Sequence, residues 1–246
     1  MSNPIQTGLQ KELFLESMSL IYEPGWEVLK EGDLIAFKAS VAVPFMNFVY
    51  GNVTLDRYKK VKEFYQKKPF FWLLSETQEE QLLLDWGFTG PDLTFEMGLN
   101  LADYHYPGAH ETLEVREAHS PKDHLQWINV AAGWLNIDPS LVDQFFTPWI
   151  KTGKYIPYLG FYEGKPAATS LAYLGDLGAS LYCLGTLLSF RNRGLGTAVT
   201  HACLKAAKDK NIDQVVLYGS KMGQTMYKKI GFKLMQTIRE YSCTQP

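Results

Sequence analysis

A glycine-containing loop stands directly before the most regular helix pattern in the sequence. Residues 191–197 read RNRGLGT, and residues 179–186 before them form an apolar, strand-like run. After the loop, apolar residues recur at i, i+3, i+4, i+7, i+8 and i+11, which is the period of an α-helix. These positions are Leu195, Ala198, Val199, Ala202, Cys203 and Ala206. A strand, a tight loop and a helix in this order predict an α/β unit.

The loop has the composition of an anion-binding site. Its two glycines let the backbone turn and approach a ligand closely. The free amides of the first helical turn then point at that ligand with the positive end of the helix dipole. Two arginines can add charge-assisted hydrogen bonds to phosphate oxygens. The residues are Arg191, Asn192, Arg193, Gly194, Leu195, Gly196 and Thr197.

Two other nucleotide loops fail on spacing. The dinucleotide fingerprint needs a third glycine where this chain has Val199. The run from Gly160 to Lys165 approaches a nucleoside-triphosphate loop, but Pro166 follows it instead of Ser or Thr. The simpler alternative is that the two glycines of residues 191–197 only begin a helix.

The rest of the second half alternates strands and helices. Strands are predicted over residues 113–116, 155–161, 167–174, 179–186 and 214–218, and helices over 121–132, 139–150 and 224–230. Glu163-Gly164-Lys165 supplies the glycine of a hairpin turn, and Gly231 ends the last helix. Residues 100–110 lack a steady apolar period, so we expect a domain boundary there.

Composition narrows the class of protein. With 46% hydrophobic and 20% charged residues, the chain is expected to fold. Its formal net charge of −2 gives no excess positive field, so neither nucleic acid nor a membrane is an expected partner. Three cysteines fit neither a disulfide framework nor a thiolate metal cage. Residues 1–11 lack the apolar core of a secretory signal, and the expected location is the cytoplasm.

The second half resembles the GNAT superfamily of acyl-coenzyme A N-acyltransferases. Residues 191–196 match the family's Gln/Arg-x-x-Gly-x-Gly/Ala loop. Residues 227–232 (YKKIGF) match its Tyr-x-x-x-Gly-Phe segment, and residues 161–168 resemble its central hairpin. The resemblance implies a mixed, mostly antiparallel sheet flanked by helices, with acetyl-CoA as the cosubstrate and no metal.

The resemblance also implies a set of site residues. The exposed backbone of Leu184, Gly185 and Thr186 would bind pantetheine, and residues 192–197 would surround the pyrophosphate. An asparagine usual in the family is replaced by Ser220, which puts that contact with the coenzyme in question.

Tyr227 is the candidate general acid, because a phenol stays protonated at neutral pH and can protonate a departing thiolate. The alternative is that its ring packs under Phe232 as core. For the general base, Glu117, His119, Asp138 and Glu163 remain open, beside a chain of water. Cys183 could act as a nucleophile, although a buried structural cysteine is the simpler interpretation.

Histidines and aromatic residues give weaker signals. The pairs His105/His110 and His119/His124 lack metal-ligand spacing, so solvated histidines are expected. The aromatic residues of 127–158 either line an acceptor pocket or form core at helical spacing. They are Trp127, Trp134, Phe145, Phe146, Trp149, Tyr155 and Tyr158.

The first half carries an echo of the second. Residues 82–88 (LLLDWGF) resemble residues 226–232, but Leu83 stands in place of the tyrosine and no glycine-containing loop precedes it. The sequence predicts a degenerate copy of the fold over residues 1–105 and an acetyltransferase domain over 111–246. The expected acceptor is the primary amine of a small or amino-acid-like molecule, and the expected state is a monomer or homodimer. A non-catalytic acetyl-CoA sensor or protein-interaction module is the alternative.

Overall fold

A computed structural model of the chain describes residues 5–18, 26–40, 46–75, 80–108 and 113–244. Its helices are α1 (Leu9–Met18), α2 (Leu55–Tyr65), α3 (Glu80–Asp85), α4 (Pro121–Leu135), α5 (Pro139–Lys151), α6 (Leu195–Asp209) and α7 (Gln224–Ile230). Its strands in the first half are β1 (Glu27–Glu31), β2 (Leu34–Lys38), β3 (Phe48–Tyr50), β4 (Phe70–Leu74) and β5 (Thr89–Asn100). Those in the second half are β6 (Leu113–Glu117), β7 (Tyr155–Tyr162), β8 (Lys165–Leu174), β9 (Ala179–Thr186), β10 (Gln214–Ser220) and β11 (Lys233–Cys243).

The chain divides into two compact units. Unit 1 contains Met1–Ile21 and Glu96–Met235, and unit 2 contains Tyr22–Phe95 and Gln236–Pro246. The sequence-based division cuts the chain once, near residues 100–110, whereas these units are interleaved. The difference arises because β5 and β11 each contribute residues to both units. Long-range strand pairing determines this assignment, and a local sequence pattern does not show it. Residues 109–112, where the second domain was expected to start, lie outside the described residues.

Unit 1 has the predicted mixed sheet, mostly antiparallel, in the order β6-β7-β8-β9-β10, with β5 beside β10. The neighbours from β6 to β9 are antiparallel, and β9 and β10 run parallel. Thr169 and Ser170 are consecutive residues of β8, so their side chains point to opposite faces. Ser170 contacts α6 and Thr169 bonds to Trp134 of α4, which places these two helices on opposite faces of the sheet.

Local sequence signals account for the helix ends and turns of unit 1. Ser120 and Asp138 cap α4 and α5, each followed by a proline at the first helical position. Glu163 and Gly164 both have positive φ in the β7–β8 hairpin, as its glycine predicts. Gly231 ends α7 with φ +117°. The predicted strands and helices of residues 113–230 are confirmed, with ends shifted by a few residues.

Unit 2 has its own sheet in the order β1-β2-β3-β4, with β11 beside β4. Its pairs are antiparallel except for the parallel pair β3 and β4. A buried core of apolar side chains lies against this sheet, including Val61 and Tyr65 of α2, Trp72 and Phe88. The described first half thus repeats, as β1-β2-β3-α2-β4-α3-β5, the element order β7-β8-β9-α6-β10-α7-β11 of the second half.

No helix in the described part of the chain combines the length and the apolar character that crossing a bilayer requires.

Candidate functional site

Strands β9 and β10 separate part-way along their length. They pair in parallel only from Ala179 opposite Val215 to Leu181 opposite Leu217. Beyond these residues, β9 continues to Thr186 and β10 to Ser220 without a shared register. Backbone groups of β9 from Tyr182 to Thr186 are therefore free of the β10 ladder and available to a ligand.

A β-bulge lies where the two strands begin to diverge. The register between β8 and β9 shifts between Thr169 and Leu171, and Cys183 adopts φ +45°. Thr169 Oγ1 donates a hydrogen bond to the Cys183 carbonyl at 2.9 Å. Bulges redirect a strand and locally interrupt its ladder, so this one contributes to the separation of β9 from β10.

The loop after β9 leaves the start of α6 open. Asn192 and Gly194 have φ +62° and +81°, conformations that asparagine and glycine adopt at low cost. Gly194 caps α6 without any side-chain hydrogen bond, and the first turn has no acidic residue. The amides of Leu195, Gly196 and Thr197 therefore remain free to bind an anion.

The separated strands and the helix start line one groove of about 830 Å³. All the predicted site residues except one contribute to its lining: Leu184, Gly185, Thr186, Arg191, Asn192, Gly194, Leu195, Gly196, Thr197, Ser220 and Tyr227. The exception is Arg193. The structure thus brings together residues that are up to 43 positions apart in the chain, from 184 to 227.

The two arginines of the loop have different surroundings. Arg191 donates from Nε to the Thr186 carbonyl at 3.2 Å and lines the groove. The guanidinium of Arg193 instead lies 4.4 Å from the centroid of the Tyr162 ring and 5.9 Å from that of Phe190. Arg193 is held by cation–π contacts, and the sequence did not reveal this because Tyr162 belongs to a different strand.

Tyr227 lies on α7 with its ring buried and its position fixed by close packing. Its ring meets Phe232 edge-on, with a centroid distance of 5.8 Å. Burial raises the pKa of the phenol well above its usual value, so it is protonated at neutral pH. Its hydroxyl has no hydrogen-bond partner within the described residues, while the residue lines the groove. The ring therefore packs as core, and the residue also borders the groove.

None of the four general-base candidates lines this groove. Glu117 and His119 form an exposed pair with each other, and Glu163 lies in the exposed β7–β8 turn. Asp138 caps α5, and its hydrogen bonds from Ser140 lower the pKa of its carboxyl. These contacts give Asp138 a structural role.

The described histidines of the two pairs have different surroundings. His124 contacts Thr147 Oγ1 at 2.9 Å, and His105 lines the groove, whereas His110 lies outside the described residues. Across the described ranges, no three His, Cys, Asp or Glu side chains come together as a metal site requires.

Cys183 does not have the environment of a nucleophile. Burial of its thiol raises the pKa well above the usual value, which disfavours the reactive thiolate. It is absent from the groove lining, which contains the neighbouring Leu184. The interpretation of Cys183 as a structural residue therefore fits the structure better.

The predicted aromatic cluster is mostly core. Trp127, Phe145, Trp149, Tyr155 and Tyr158 are buried, and Phe146 packs edge-on against Trp127. Of the seven aromatic residues, only Trp134 lines the groove.

Among the groove residues that the sequence analysis missed are a histidine and a tyrosine in contact with each other. His201 Nδ1 and the Tyr104 hydroxyl are 2.6 Å apart, and their rings are stacked. Burial lowers the pKa of His201, which favours its neutral form. His201 follows Thr197 by four residues, so helical periodicity alone places it on the face of α6 that continues from the loop. No sequence pattern indicated that Tyr104 lies beside α6, because it belongs to an irregular segment far from that helix in sequence.

The equivalent region of unit 2 is closed. Strand β3 pairs with β4 along its whole length, from Phe48 to Tyr50. The indole of Trp72 donates to the Gly51 carbonyl at 2.9 Å. At the start of α2, the Thr54 side chain accepts from the Arg57 amide, and Asp56 adds negative charge. This helix start is capped and repels anions, unlike that of α6.

Comparison with known proteins agrees with this geometry. Residues 158–241, which contain β9, the loop, α6, β10 and α7, match the family model described as FR47-like protein. No curated protein matches the chain.

Several solved structures share the fold. A GCN5-related N-acetyltransferase from Kribbella flavida is 14% identical with a TM-score of 0.71, covering 97% of this chain and 94% of its own. One from Sphaerobacter thermophilus is 15% identical with a TM-score of 0.67, covering 88% and 78%. A tandem GNAT protein from the clavulanic acid biosynthesis pathway is 12% identical with a TM-score of 0.64, covering 99% and 91%. The resemblance to the GNAT superfamily is confirmed at the level of the fold.

Proposed function

We propose that unit 1 binds acetyl-CoA in the groove and transfers its acetyl group to the primary amine of a small or amino-acid-like molecule. The attack would be direct, within a ternary complex. One observation carries this proposal: the free edge of β9 and the uncapped start of α6 open into the same groove. A molecule with a pyrophosphate at one end and an amide-containing arm at the other suits both features.

The coenzyme contacts follow from the chemistry of each lining group. The pyrophosphate would accept hydrogen bonds from the amides of residues 192–197, and Arg191 would add a charge-assisted bond. The amides of pantetheine would pair with the backbone of Leu184, Gly185 and Thr186, as an added strand does. Ser220 lines the opposite side of the groove and offers a hydroxyl.

Tyr227 would act as the general acid. When the amine displaces the thiolate, the sulfur needs a proton, and Tyr227 has a protonated hydroxyl on a buried ring. The burial that raises the phenol pKa would equally raise the proton affinity of a thiolate leaving in the same groove. Transfer between the two groups therefore remains feasible. None of the four bases proposed from the sequence lines the groove, and we assign the proton of the attacking amine to water.

The alternative, a sensor that binds acetyl-CoA without turnover, would need the groove but not the acid. The available Tyr227 hydroxyl favours the enzyme. For partners, the near-neutral composition supports a small amine rather than nucleic acid or membrane. We further propose that the protein acts in the cytoplasm as a monomer or homodimer.

The test is a pair of substitutions at Gly196, whose added side chain would point toward Met226 and Thr186 of the groove. Gly196→Glu places a negative charge at the start of α6, which favours the helix but repels the pyrophosphate. Gly196→Gln has nearly the same size without the charge. We expect acetyl-CoA affinity, measured by calorimetry, to be roughly a hundredfold lower in the Glu variant than in the Gln variant.

Equal affinities for the two variants would show that no anion lies at this helix start. Turnover is tested separately, by following thiol release from acetyl-CoA with a panel of amines and peptide amino termini. Tight binding without thiol release across the panel would support the sensor instead.

A further inference from the structure

We propose that Trp134 limits the length of the acyl group that the groove accepts, so that acetyl is favoured over longer chains. This inference rests on the proposed function, because it concerns the thioester end of the same coenzyme. It assigns a specificity-determining role to the residue of the predicted aromatic cluster that lines the groove.

The groove passes from one face of the sheet to the other. Helix α7, which carries Tyr227, packs with α6, and Trp134 belongs to α4 on the opposite face. Both residues nevertheless line the same groove together with Gly185. They can do so because β9 and β10 are separated there. A thioester whose pantetheine lies along residues 184–186 would therefore direct its acyl chain between Tyr227 and Trp134.

The indole of Trp134 lies directly on the backbone of β9. A Cβ atom on Gly185 would overlap the six-membered part of the indole ring. Glycine is thus required at this position by the tryptophan. The ring occupies the space into which a chain longer than acetyl would extend.

This wall is held rigidly. Trp134 donates from Nε1 to Thr169 Oγ1 at 2.8 Å, and Thr169, which is fully buried, donates to the Cys183 carbonyl. One residue earlier, a Cβ on Gly133 would stand 2.7 Å from the side chain of Leu187, so the last turn of α4 also contacts the residue that follows β9. A ring that is oriented by this hydrogen bond and packed directly on the backbone of β9 yields little to a larger ligand.

The experiment compares the affinities of free CoA, acetyl-CoA and hexanoyl-CoA for the parent and for Trp134→Leu. Leucine keeps the site apolar but removes the ring. The parent should bind hexanoyl-CoA at least about tenfold more weakly than acetyl-CoA. The ratio of acetyl-CoA affinity to hexanoyl-CoA affinity should be at least about tenfold lower in Trp134→Leu than in the parent. Free CoA, which has no acyl chain, gives the reference affinity for each protein.

Two further variants test the mechanism. Thr169→Val removes the acceptor that orients the indole, so we expect an intermediate change of the ratio. Leu125→Ala changes an exposed side chain on the same helix and should leave the ratio as in the parent. Thermal unfolding of each variant, followed by circular dichroism, identifies loss of folding.

An unchanged acetyl-to-hexanoyl ratio in folded Trp134→Leu would overturn the inference, as would a parent that binds both thioesters equally. In either case, binding of free CoA would leave the proposed function standing. If free CoA did not bind the parent, the proposed function would fail first.

Discussion

The ring of Tyr227 fills a space that two glycines leave beside it. A Cβ atom on Gly219 or Gly223 would stand 3.2 or 2.9 Å from that ring. The Tyr227 carbonyl accepts from the Phe232 amide at 3.0 Å, and in the first half Leu83 accepts from Phe88 in the same way at 3.0 Å. The two copies thus share the backbone of this turn, while only one of them carries the hydroxyl.

We therefore predict that Tyr227→Phe separates chemistry from packing. The change removes one oxygen and keeps the ring, so stability and acetyl-CoA affinity should change little. Positioned acids contribute about 10²- to 10⁴-fold, and turnover should fall by that amount if protonation limits the rate. Steady-state kinetics and calorimetry on the same preparation measure the two effects.

Turnover within about twofold of the parent, with chemistry shown to limit the rate, would make water the proton donor. A lower affinity at unchanged turnover would mark Tyr227 as a binding residue.

At the scale of single residues, the loop of residues 191–197 and Tyr227 could be predicted as site residues because the patterns that mark them are local in sequence. Glycines, arginines and a helix start lie within seven consecutive residues. The surroundings of Trp134 and Arg193 could not be predicted in this way, because they depend on residues distant in sequence. Arg193 has the same sequence context as Arg191, and only the rings of Tyr162 and Phe190 decide that it turns away from the groove lining.

Among the elements, β5 and β11 hold exchanged positions in the two repeats. Strand β5 follows α3 in the first repeat, and β11 follows α7 in the second, so the two strands are equivalent in element order. However, the end of β5 belongs to unit 1, and most of β11 belongs to unit 2. Helix α1 also belongs to unit 1. The buried carboxylate of Glu96 in β5 accepts hydrogen bonds from the Gly8 and Gln10 amides at 3.0 and 3.1 Å. Strand partners so distant in sequence leave no local signal, so the sequence did not predict this exchange.

This exchange predicts that the second half does not fold stably alone. A fragment of residues 113–246 would lack β5 and α1, which leaves the β10 edge and part of the unit 1 core uncovered. We expect no cooperative thermal unfolding transition for the fragment by circular dichroism.

Co-expression with residues 1–108 is the matched control, because it restores every described element and should recover a cooperative transition. A fragment that unfolded cooperatively near the melting temperature of the full chain would contradict the exchange.

At the scale of the whole molecule, the two repeats of one element order differ in their parallel strand pair and in the helix that follows its first strand. In unit 1 the parallel pair β9 and β10 diverges, whereas in unit 2 β3 stays paired with β4. The start of α6 is uncapped, whereas that of α2 is capped by Thr54. The repeated order was partly visible in the sequence through the Gly-Phe turns. The difference in pairing was not, because it depends on a bulge and on the Trp72 hydrogen bond.

The last prediction is that each chain binds one acetyl-CoA. Unit 2 has neither free strand edges between its parallel strands nor an open helix start, so an anionic coenzyme gains no backbone hydrogen bonds there. Titration of the intact chain by calorimetry should give a stoichiometry near one. Gly196→Glu changes unit 1 alone and should abolish most of the heat, which shows that the single event belongs to this groove. A stoichiometry near two, or a full-strength event remaining in Gly196→Glu, would mean that the first repeat binds coenzyme by another route.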